Sequence, residues 1–566
     1  MPRPRISVIT RIQNPNGNLT TWERDIQGRV TAKVFADGSR ETYAYEARTS
    51  RLKSRTDALG QIATRTYARD DRLTALGYTN AVNQTPGVSF AYDAYFPRIT
   101  TMADGNGVTT YSYGTVGNNG ALQLTAEDGP FAHDKLEDTY DALGRVQSRK
   151  IDGQVESFTY DLLGRVTSHN SPLGSFALSY LGQTNQLARR TLQSTNYWDT
   201  TWQYGDNLHD RQLDAIDYSA GPNNNSARNY AYTTSPEHRI LGLTESVAGS
   251  ASAAWAYTYD QADRLTDALV TPGGAYTYGL DAGDNLLTVQ TAASSTTSTY
   301  NSLNQIDLRN GQPFTYDVAG NLLDDGRRSY EWDAEQRLIG IGYLATPAVA
   351  TISRYDGLGR RSAILEWHNN YNYTETRYLW CGERICQARN ASDAVIRRYY
   401  DEGEQLVSGS NVTPYYYAQD HLGSVRNLVN ASGSGLATYD YDPYGQPTRS
   451  TVNGWARANY RCAGLFGGIY ACIWRGIVRR FDSLAAAMNG PLPGPTRSSS
   501  SATRYFRGIT LRCVQQPPCA RGLRVQYQAC RYRAATHPAS RPRDTARSCR
   551  SHMHPSCRRP ASVHCR

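Results

Sequence analysis

The feature that most constrains this chain is a short motif, Tyr-Asp-x-x-Gly-Arg, which recurs until about residue 460. Its two clearest copies begin at Tyr140 and Tyr160. Self-similarity at a period of roughly 16–23 residues indicates a stacked array of small units rather than one globular core. The residues assigned to this structural repeat are Tyr140, Asp141, Gly144, Arg145, Tyr160, Asp161, Gly164, Arg165, Tyr259, Asp260, Arg264, Tyr316, Asp317, Gly320, Tyr355, Asp356, Gly359 and Arg360.

Each copy of the motif predicts a β-hairpin. Residues before the Tyr-Asp pair alternate, as between Glu156 and Tyr160, which is the period-2 pattern of a half-buried strand. The aspartate accepts hydrogen bonds from backbone N–H groups two residues on, and the glycine supplies the positive φ of a tight turn. The arginine opens the next strand, with its guanidinium outward or over an aromatic ring. Because a lone hairpin is marginal in water, the hairpins must pair with their neighbours.

Composition agrees with a broad sheet that has wet surfaces. The chain has 41 Tyr and 10 Phe, whereas a dry core would favour Phe, Leu and Ile. At 566 residues it exceeds what one hydrophobic core supports, so it needs several domains or a solenoid-like shell. We expect an all-β fold in which YD-repeat hairpins form a spiralling antiparallel β-sheet. The chain has no run of about 18 apolar residues, so the sequence predicts no membrane-spanning helix. The start of the chain lacks the apolar core of a secretory signal.

A second motif follows the repeats. The segment 415–426 reads YYYAQDHLGSVR, and a Tyr-Asp-rich segment with Asp442 and Gly445 comes after it. Together with the repeats, it resembles the rearrangement-hotspot (Rhs) or YD-repeat proteins, relatives of the teneurins and of the shell subunits of insecticidal toxin complexes. The resemblance covers roughly residues 20–450. The residues that match the family's core-associated segment are Asp420, His421, Leu422, Gly423, Arg426, Asp442 and Gly445.

The resemblance implies a hollow β-cocoon that encloses a variable C-terminal toxin. In bacteria such proteins look like weapons delivered to neighbouring cells by contact, often by type VI secretion. The implied partners are the enclosed toxin and a spike protein of the secretion apparatus. The implied location is the cytoplasm before delivery, then the cell surface or exterior by a route without a signal peptide. No cofactor is implied.

The family's closing segment, which is associated with self-cleavage, survives here only as fragments around residues 463–482. Its Gly-Arg-Trp step and closing Asp-Pro are missing. We therefore name no catalytic residue and expect no enzyme activity from the repeats. Asp420 beside His421 could suggest a general-base pair, but adjacent strand residues point to opposite faces. We interpret them as a turn aspartate and a structural histidine.

Residues 451–566 differ sharply from the rest. They contain 20 Arg, no Lys and two acids, a net charge of +18, although the whole chain carries only +9. Eight of the ten cysteines lie there, without the CxxC spacing of a zinc site, so we expect no metal. The stretch lacks periodicity and is predicted to be disordered. We divide the chain into a repeat shell at 1–410, a core-like segment at 411–485 that is degraded after about 461, and a tail at 486–566.

Three functions remain open from the sequence. The first is a non-catalytic scaffold that encapsulates a polymorphic toxin. The second is a cell-surface adhesion module, in which exposed Tyr and Trp, including Trp255 and Trp332, stack on carbohydrate. The third is a toxin tail that binds nucleic acid non-specifically through its arginines. Outside the tail, Cys381 and Cys386 could form a disulfide across a turn or remain free thiols, and we favour free thiols.

We predict that the natural coding frame departs from this one between about residues 461 and 490. The motifs run in order to Gly445, fragments of the closing segment follow, and then charge, cysteine content and periodicity change together. Translation of the underlying DNA in all three frames checks this. We expect the Gly-Leu-Tyr, Tyr-Asp-Pro, Gly-Arg-Trp and Asp-Pro series to appear in another frame. Its absence from both other frames would contradict the prediction.

Overall fold

The alternating Tyr- and Thr-rich segments form strands in the computed structural model, which describes residues 9–194, 198–220, 225–247, 250–430 and 434–452. The Arg/Cys-rich tail, the fragments of the closing segment and the predicted frame change lie outside the described residues. Within them, the one helical element is a single 3-10 turn at Asn207–His209. The prediction of an all-β fold built from antiparallel YD hairpins is confirmed.

Twenty-eight strands form the first sheet, and each pairs antiparallel with the next one along the chain. Successive side chains point to opposite faces of the sheet. In the strand Gln154–Tyr160, for example, Glu156 is buried while its neighbour Val155 is exposed. The strands are β1 Arg11–Gln13, β2 Leu19–Arg24, β3 Val30–Val34, β4 Arg40–Tyr45, β5 Leu52–Thr56, β6 Ile62–Tyr67, β7 Leu73–Thr79, β8 Val88–Tyr92, β9 Ile99–Asp104, β10 Gly107–Tyr113, β11 Leu124–Asp128, β12 Leu136–Tyr140, β13 Val146–Ile151, β14 Gln154–Tyr160, β15 Val166–Ser171, β16 Gly174–Tyr180, β17 Leu187–Leu192, β18 Trp198–Tyr204, β19 Leu213–Ala220, β20 Asn225–Thr234, β21 Ile240–Val247, β22 Ser250–Tyr259, β23 Leu265–Thr271, β24 Gly274–Leu280, β25 Leu286–Thr291, β26 Ser295–Tyr300, β27 Ile306–Arg309 and β28 Gln312–Pro313.

The second sheet continues the same pattern after a short break at Phe314. Its fourteen strands also pair in chain order and antiparallel. They are β29 Thr315–Tyr316, β30 Leu322–Asp324, β31 Arg328–Trp332, β32 Leu338–Tyr343, β33 Ala350–Tyr355, β34 Arg361–Trp367, β35 Tyr373–Cys381, β36 Arg384–Asn390, β37 Val395–Tyr399, β38 Gly403–Ser408, β39 Asn411–Gln419, β40 Val425–Val429, β41 Gly435–Tyr441 and β42 Pro447–Val452.

The two edges of this strip of strands differ. Because two strands separate successive motifs, the YD turns, such as 141–144 and 161–164, fall on one edge, which we call the turn edge. The intervening loops, such as 152–153 and 172–173, fall on the opposite edge, which we call the far edge. The weaker motif copy at 57–60 also lies on the far edge. Sequence similarity to the repeat therefore does not by itself determine on which edge a turn lies.

The strip of strands winds around, so that its second part lies beside its first part. We call residues 11–280 (β1–β24) the first coil and residues 286–452 (β25–β42) the second coil. The turn edge of the second coil lies against the far edge of the first. Asn16 donates from Nδ2 to Oδ2 of Asp281 over 2.9 Å near the start of this contact. Near its end, the rings of Tyr278 and Tyr444 stand 4.6 Å apart. We call the line of contact the seam.

The largest apolar cluster lies across the seam. Phe176, Trp198 and Tyr230 come from the first coil, and Tyr416 and Val429 come from the second. All five side chains are buried. A single layer of strands covers only one side of these rings and leaves the other side in water. The fold therefore depends on the contact between the two coils.

The interpretation of Cys381 and Cys386 as free thiols is wrong. They form a disulfide that closes the β35–β36 hairpin, because antiparallel pairing at the turn brings their Cα atoms to 5.9 Å, within bonding range. Both are buried against Leu136 and Ile151 of the first coil. The bond therefore lies at the seam.

No helix in the described part of the chain has the length and apolar character needed to cross a bilayer.

Candidate functional site

Each YD turn is held by its own aspartate. Asp141 accepts hydrogen bonds at Oδ1 from the backbone N–H groups of Leu143 and Arg145, both at 2.9 Å. Its Oδ2 lies 2.6 Å from Nη2 of Arg145. Gly144 has φ +75°, which completes the turn. The Arg145 N–H and guanidinium lower the pKa of Asp141, so the carboxylate stays ionised in its paired form.

The arginine also links its hairpin to the next one. The guanidinium of Arg145 stands 4.4 Å from the centroid of the Tyr160 ring. The Tyr160 hydroxyl donates back to the carbonyl of Val146, next to that arginine, over 2.6 Å. We call this series of contacts the repeat ladder. Arginine-on-tyrosine pairs of the same kind are Arg29–Tyr45, Arg51–Tyr67, Arg72–Tyr92, Arg98–Tyr113, Arg165–Tyr180, Arg239–Tyr259 and Arg337–Tyr355.

The ladder tolerates substitutions that keep its hydrogen bonds. Where asparagine replaces arginine, Asn321 donates from Nδ2 to Oδ2 of Asp317 over 2.9 Å. Where tryptophan replaces tyrosine, Trp332 donates from Nε1 to the Leu322 carbonyl over 2.7 Å. Among the other predicted residues, Arg264 lies 2.7 Å from Asp260, and the Tyr355 hydroxyl donates to the Leu338 carbonyl over 2.8 Å. Arg360 lies 2.6 Å from Asp356 and 2.7 Å from Glu127 of the first coil.

At the seam, a YD turn of the second coil is bound at two backbone points. Nδ2 of Asn83 donates to the carbonyl of Trp332 over 2.9 Å. The N–H of Ala334 donates to Oγ1 of Thr85, also over 2.9 Å. These two backbone groups flank the turn aspartate, Asp333. The side chain of Ala334 is buried in the contact.

The next turn is bound in the same way. Nδ2 of Asn106 donates to the carbonyl of Tyr355 over 3.0 Å, and the N–H of Gly357 donates to Oδ2 of Asp104 over 2.5 Å. A Cβ added at Gly357 would stand 2.6 Å from Cγ1 of Val88, so this position requires glycine for close approach. Two consecutive turns are thus bound by residue pairs spaced two apart.

The core-associated segment supplies a third bound turn. The Tyr218 hydroxyl donates to the Gln419 carbonyl over 2.9 Å, and the Tyr232 hydroxyl accepts the His421 N–H at 3.1 Å. Again the two bonded groups flank the turn aspartate, Asp420. Tyrosine hydroxyls take the place of Asn, Thr and Asp.

The predicted core residues form a buried ion network at this point. Arg426 lies 2.7 Å from Glu245 of the first coil and 3.7 Å from Asp420. The Asp420 carboxylate accepts the N–H groups of Leu422 and Ser424, each at 3.0 Å, and Gly423 has φ +73°. Gly445 has φ +81° in the following turn, where Asp442 accepts the Gln446 N–H at 2.7 Å.

His421 does not face the Asp420 carboxylate as a catalytic partner would. Its ring packs edge-on against Tyr232, with centroids 4.9 Å apart, and burial lowers its pKa. The Asp420 carboxylate is occupied by the turn. Among the described residues, no group of three or more His, Cys, Asp or Glu side chains could hold a metal ion.

A buried histidine lies between two carboxylates at the seam. Nδ1 of His169 is 3.1 Å from Oε2 of Glu402 in the second coil, and its Nε2 is 3.3 Å from Oε2 of Glu156. Arg384 of the second coil lies 3.4 Å from Glu156. Burial alone would lower the pKa of His169, but Glu402 and Glu156 outweigh it and raise the pKa to about 10. The ring of Phe158 stacks on the imidazole at 4.8 Å.

The seam residues were not found from the sequence. Asn83, Thr85 and Asp104 lie outside the motif, and their partners are about 250 positions away, so no local pattern connects them. His169 and Glu402 likewise gave no signal, since His169 is a single residue in an alternating strand and Glu402 lies in the turn between β37 and β38. The size of the residue after the aspartate gives no usable signal either, since the bound turns have Ala334, Gly357 and His421 at that position and the exposed turn 141–144 has Ala142.

We expect Gly357→Leu to destabilise the seam by about 1–3 kcal/mol, because a side chain there must displace Val88 and Met102. Hydrogen exchange measured by mass spectrometry should increase for peptides covering residues 83–106. The matched control is Ala142→Leu, which changes the same position of an exposed turn and should stay within about 0.5 kcal/mol of wild type. Equal exchange in the two variants would contradict the two-point binding.

His169 should make stability fall as the pH rises above neutrality. A pKa raised from 6.5 to about 10 stabilises the fold fully below pH 6.5, and this contribution is lost as the pH rises through 10. The difference in free energy of unfolding between wild type and His169→Gln should shrink by about 2–4 kcal/mol between pH 6 and pH 10. Urea denaturation at several pH values measures it. The exposed His209→Gln serves as control, and an unchanged difference for His169→Gln would refute the assignment.

Comparisons with known proteins match the same regions. The Teneurin YD-shell family model matches residues 232–455, and the RHS Repeat model matches residues 140–175. The tRNA3(Ser)-specific nuclease WapA of Bacillus spizizenii is 28% identical over 215 residues, which cover 36% of this chain and 9% of WapA. Teneurin-3 of Mus musculus is 24% identical over 420 residues, 67% of this chain and 14% of teneurin-3. The chain thus spans a small part of these relatives.

Solved structures show the same fold. The Tc holotoxin pore of Photorhabdus luminescens aligns with a TM-score of 0.61 at 15% identity, covering 76% of this chain and 25% of that one. The TcdB2–TccC3 complex gives the same TM-score over 26% of its chain. The recurring motif, the ladder that it builds and both family models agree on one conclusion: residues 140–175 and 232–455 are similar to the repeats of the Rhs, or YD-repeat, proteins.

Proposed function

We propose that this chain is part of the wall of a YD-repeat shell that encloses a polypeptide cargo and performs no chemical step itself. The observation that carries the proposal is the seam. Three turns are bound there at two points each, and buried ion pairs join the coils at Arg426–Glu245 and His169–Glu402. Such contacts close a strip of hairpins side to side, which is what a wall requires. The motif aspartates and arginines described above already take part in turn hydrogen bonds and ion pairs.

We infer further that the cargo is a toxin used in contact between bacteria. Relatives named as tRNA nucleases and a Tc holotoxin support this inference. The two family models match only repeat residues within 140–455, so we assign any nuclease activity of the complete protein to sequence outside that range. We propose the cell exterior as the final location, reached from the cytoplasm with a secretion-apparatus spike protein as partner.

An adhesion module is the second candidate. Trp255, Tyr257 and Tyr276 form a partly buried row of rings with centroid spacings of 6.1 Å. The outer parts of such a row could stack on sugar rings, as Tyr and Trp present flat apolar faces, although Trp255 and Tyr257 also pack against the largest apolar cluster. Binding to a glycan array that is lost in Trp255→Ala would favour adhesion. Trp332 suits this role less, since its indole is part of the repeat ladder.

We expect the full-length gene product to protect its C-terminal cargo from protease as long as the seam is closed. Limited proteolysis followed by mass spectrometry would show an intact cargo in wild type and in Ala142→Leu. Cargo cleavage should be about tenfold faster in Gly357→Leu, because opening of the seam by about 1–3 kcal/mol increases the exposed population by such a factor. Cargo that is cleaved equally fast in all three proteins would contradict encapsulation.

A further inference from the structure

A cavity lies between the two coils at the seam, beside the bound turn 356–359. Its volume is about 500 Å³, part of which is open to solvent, and this is the size of small-molecule sites in proteins. We call it the seam cavity. Its lining includes Asp104, Thr109, Glu127 and Asp134 of the first coil and Asp356 and Arg360 of the second.

The seam cavity is lined by more acidic than basic side chains. Four carboxylates and one guanidinium face it. The guanidinium of Arg360 is already paired, at 2.6 Å from Asp356 and 2.7 Å from Glu127. Asp104 and Asp134 have no ion pair with any basic side chain that the structure describes. Two carboxylates are therefore available to a cation.

Both of these carboxylates keep acceptor capacity. The Asp134 oxygens accept two backbone N–H groups of the loop 129–131, at 3.1 and 2.9 Å. The Asp104 oxygens accept the N–H groups of Asn106 and Gly357, at 2.7 and 2.5 Å. Because a carboxylate has about four acceptor positions, each of the two can bind further donors.

The depth of Asp134 makes a counter-charge valuable. Its side chain is 3% exposed. Burial raises its pKa, while the Phe131 N–H and the charge of Arg389 act in the opposite direction. An ionised carboxylate at such a depth is costly unless a cation lies beside it. A cation bound in the seam cavity would offset that cost.

A threonine hydroxyl points to the same ligand. Thr109 is 6% exposed and lines the cavity, and its hydroxyl has no hydrogen-bond partner among the residues that the structure describes. It lies two residues before Tyr111, which pairs directly with Glu127, so all three side chains are on one face of the sheet. The Thr109 oxygen can thus accept a hydrogen bond from a donor between the coils.

The other walls of the cavity are apolar. Phe131 and Leu136 come from the first coil, and Tyr378 and Trp380 come from the second. An inorganic cation would need several oxygen ligands, and no described group of three or more acidic, His or Cys side chains could hold one. An alkylammonium ion needs acceptors at one end and an apolar surface along its carbons. The seam cavity offers both.

We propose that the seam cavity binds an alkylammonium ion, either a free diamine or the side chain of a lysine. Asp104, Asp134 and Thr109 provide the acceptors for its three N–H donors, and its carbon chain lies along Phe131 and Trp380. Because both coils supply walls, the bound amine contacts both and stabilises the seam. This site does not depend on the identity of the cargo.

Isothermal titration calorimetry of the full chain with 1,4-diaminobutane tests the proposal. We expect a dissociation constant of about 1 mM, with binding by 1-butanol at least about tenfold weaker, because it lacks the charge. Hydrogen exchange should slow in peptides covering residues 104–136 and 356–380. Nα-acetyl-lysine amide is the second probe. Binding of both amines supports the site for lysine side chains as well, and binding of the diamine alone supports it for free amines.

Thr109→Val should weaken diamine binding about fivefold through one lost hydrogen bond, and Asp134→Asn about tenfold or more through the lost charge. The matched control is Thr110→Val, which makes the same change on the exposed face of the same strand and should bind as wild type does. All variants should keep the wild-type circular dichroism spectrum, and Thr109→Val decides the test if Asp134→Asn does not fold. Absence of binding by both amines up to about 10 mM, or equal affinity in Thr109→Val and wild type, would overturn the proposal.

Discussion

The structure depends on one recurring contact, in which the arginine of one repeat lies over the tyrosine of the next. Arg145 is ion-paired with Asp141 in its own turn and stands over Tyr160, whose hydroxyl donates to the backbone beside the arginine. The arginine therefore stabilises its own turn and also links that turn to the next hairpin. A guanidinium suits this double role because its planar fork pairs with a carboxylate while its face stacks on a ring. Lysine offers neither geometry, which explains why arginine recurs in the motif.

The seam adds what the ladder cannot provide. A ladder joins neighbouring hairpins, but it leaves both edges of the strip exposed to water and to other chains. At the seam, the backbone on either side of a turn aspartate is bound by Asn83 and Thr85, by Asn106 and Asp104, or by two tyrosine hydroxyls. Since these bonds use backbone groups, the turn sequence can vary. Only the residue after the aspartate must be small where the coils approach closely, as at Gly357.

The sequence was sufficient for the local features. Alternation before Tyr160 and the glycine at Gly164 predict a strand and a turn, because both depend on residues within a few positions of each other. Coiling of the strip, by contrast, depends on pairs such as Asn83 with Trp332, which no local rule connects. The disulfide was missed for a related reason. Whether Cys381 and Cys386 bond depends on the register of β35 and β36, and a bulge in that pairing is not visible in the sequence.

A double-mutant cycle on Arg145 and Tyr160 tests the central claim most directly. Arg145→Met, Tyr160→Phe, Tyr160→Leu and the Arg145→Met, Tyr160→Leu double variant would be compared by urea denaturation, with the exposed Tyr371→Phe as control. We expect Tyr160→Phe to cost about 1 kcal/mol through its lost hydrogen bond. We also expect a coupling of about 0.5–1 kcal/mol between Arg145 and the Tyr160 ring. Strictly additive effects of Arg145→Met and Tyr160→Leu, with Tyr160→Phe as mild as Tyr371→Phe, would contradict the claim that the ladder holds the strip together.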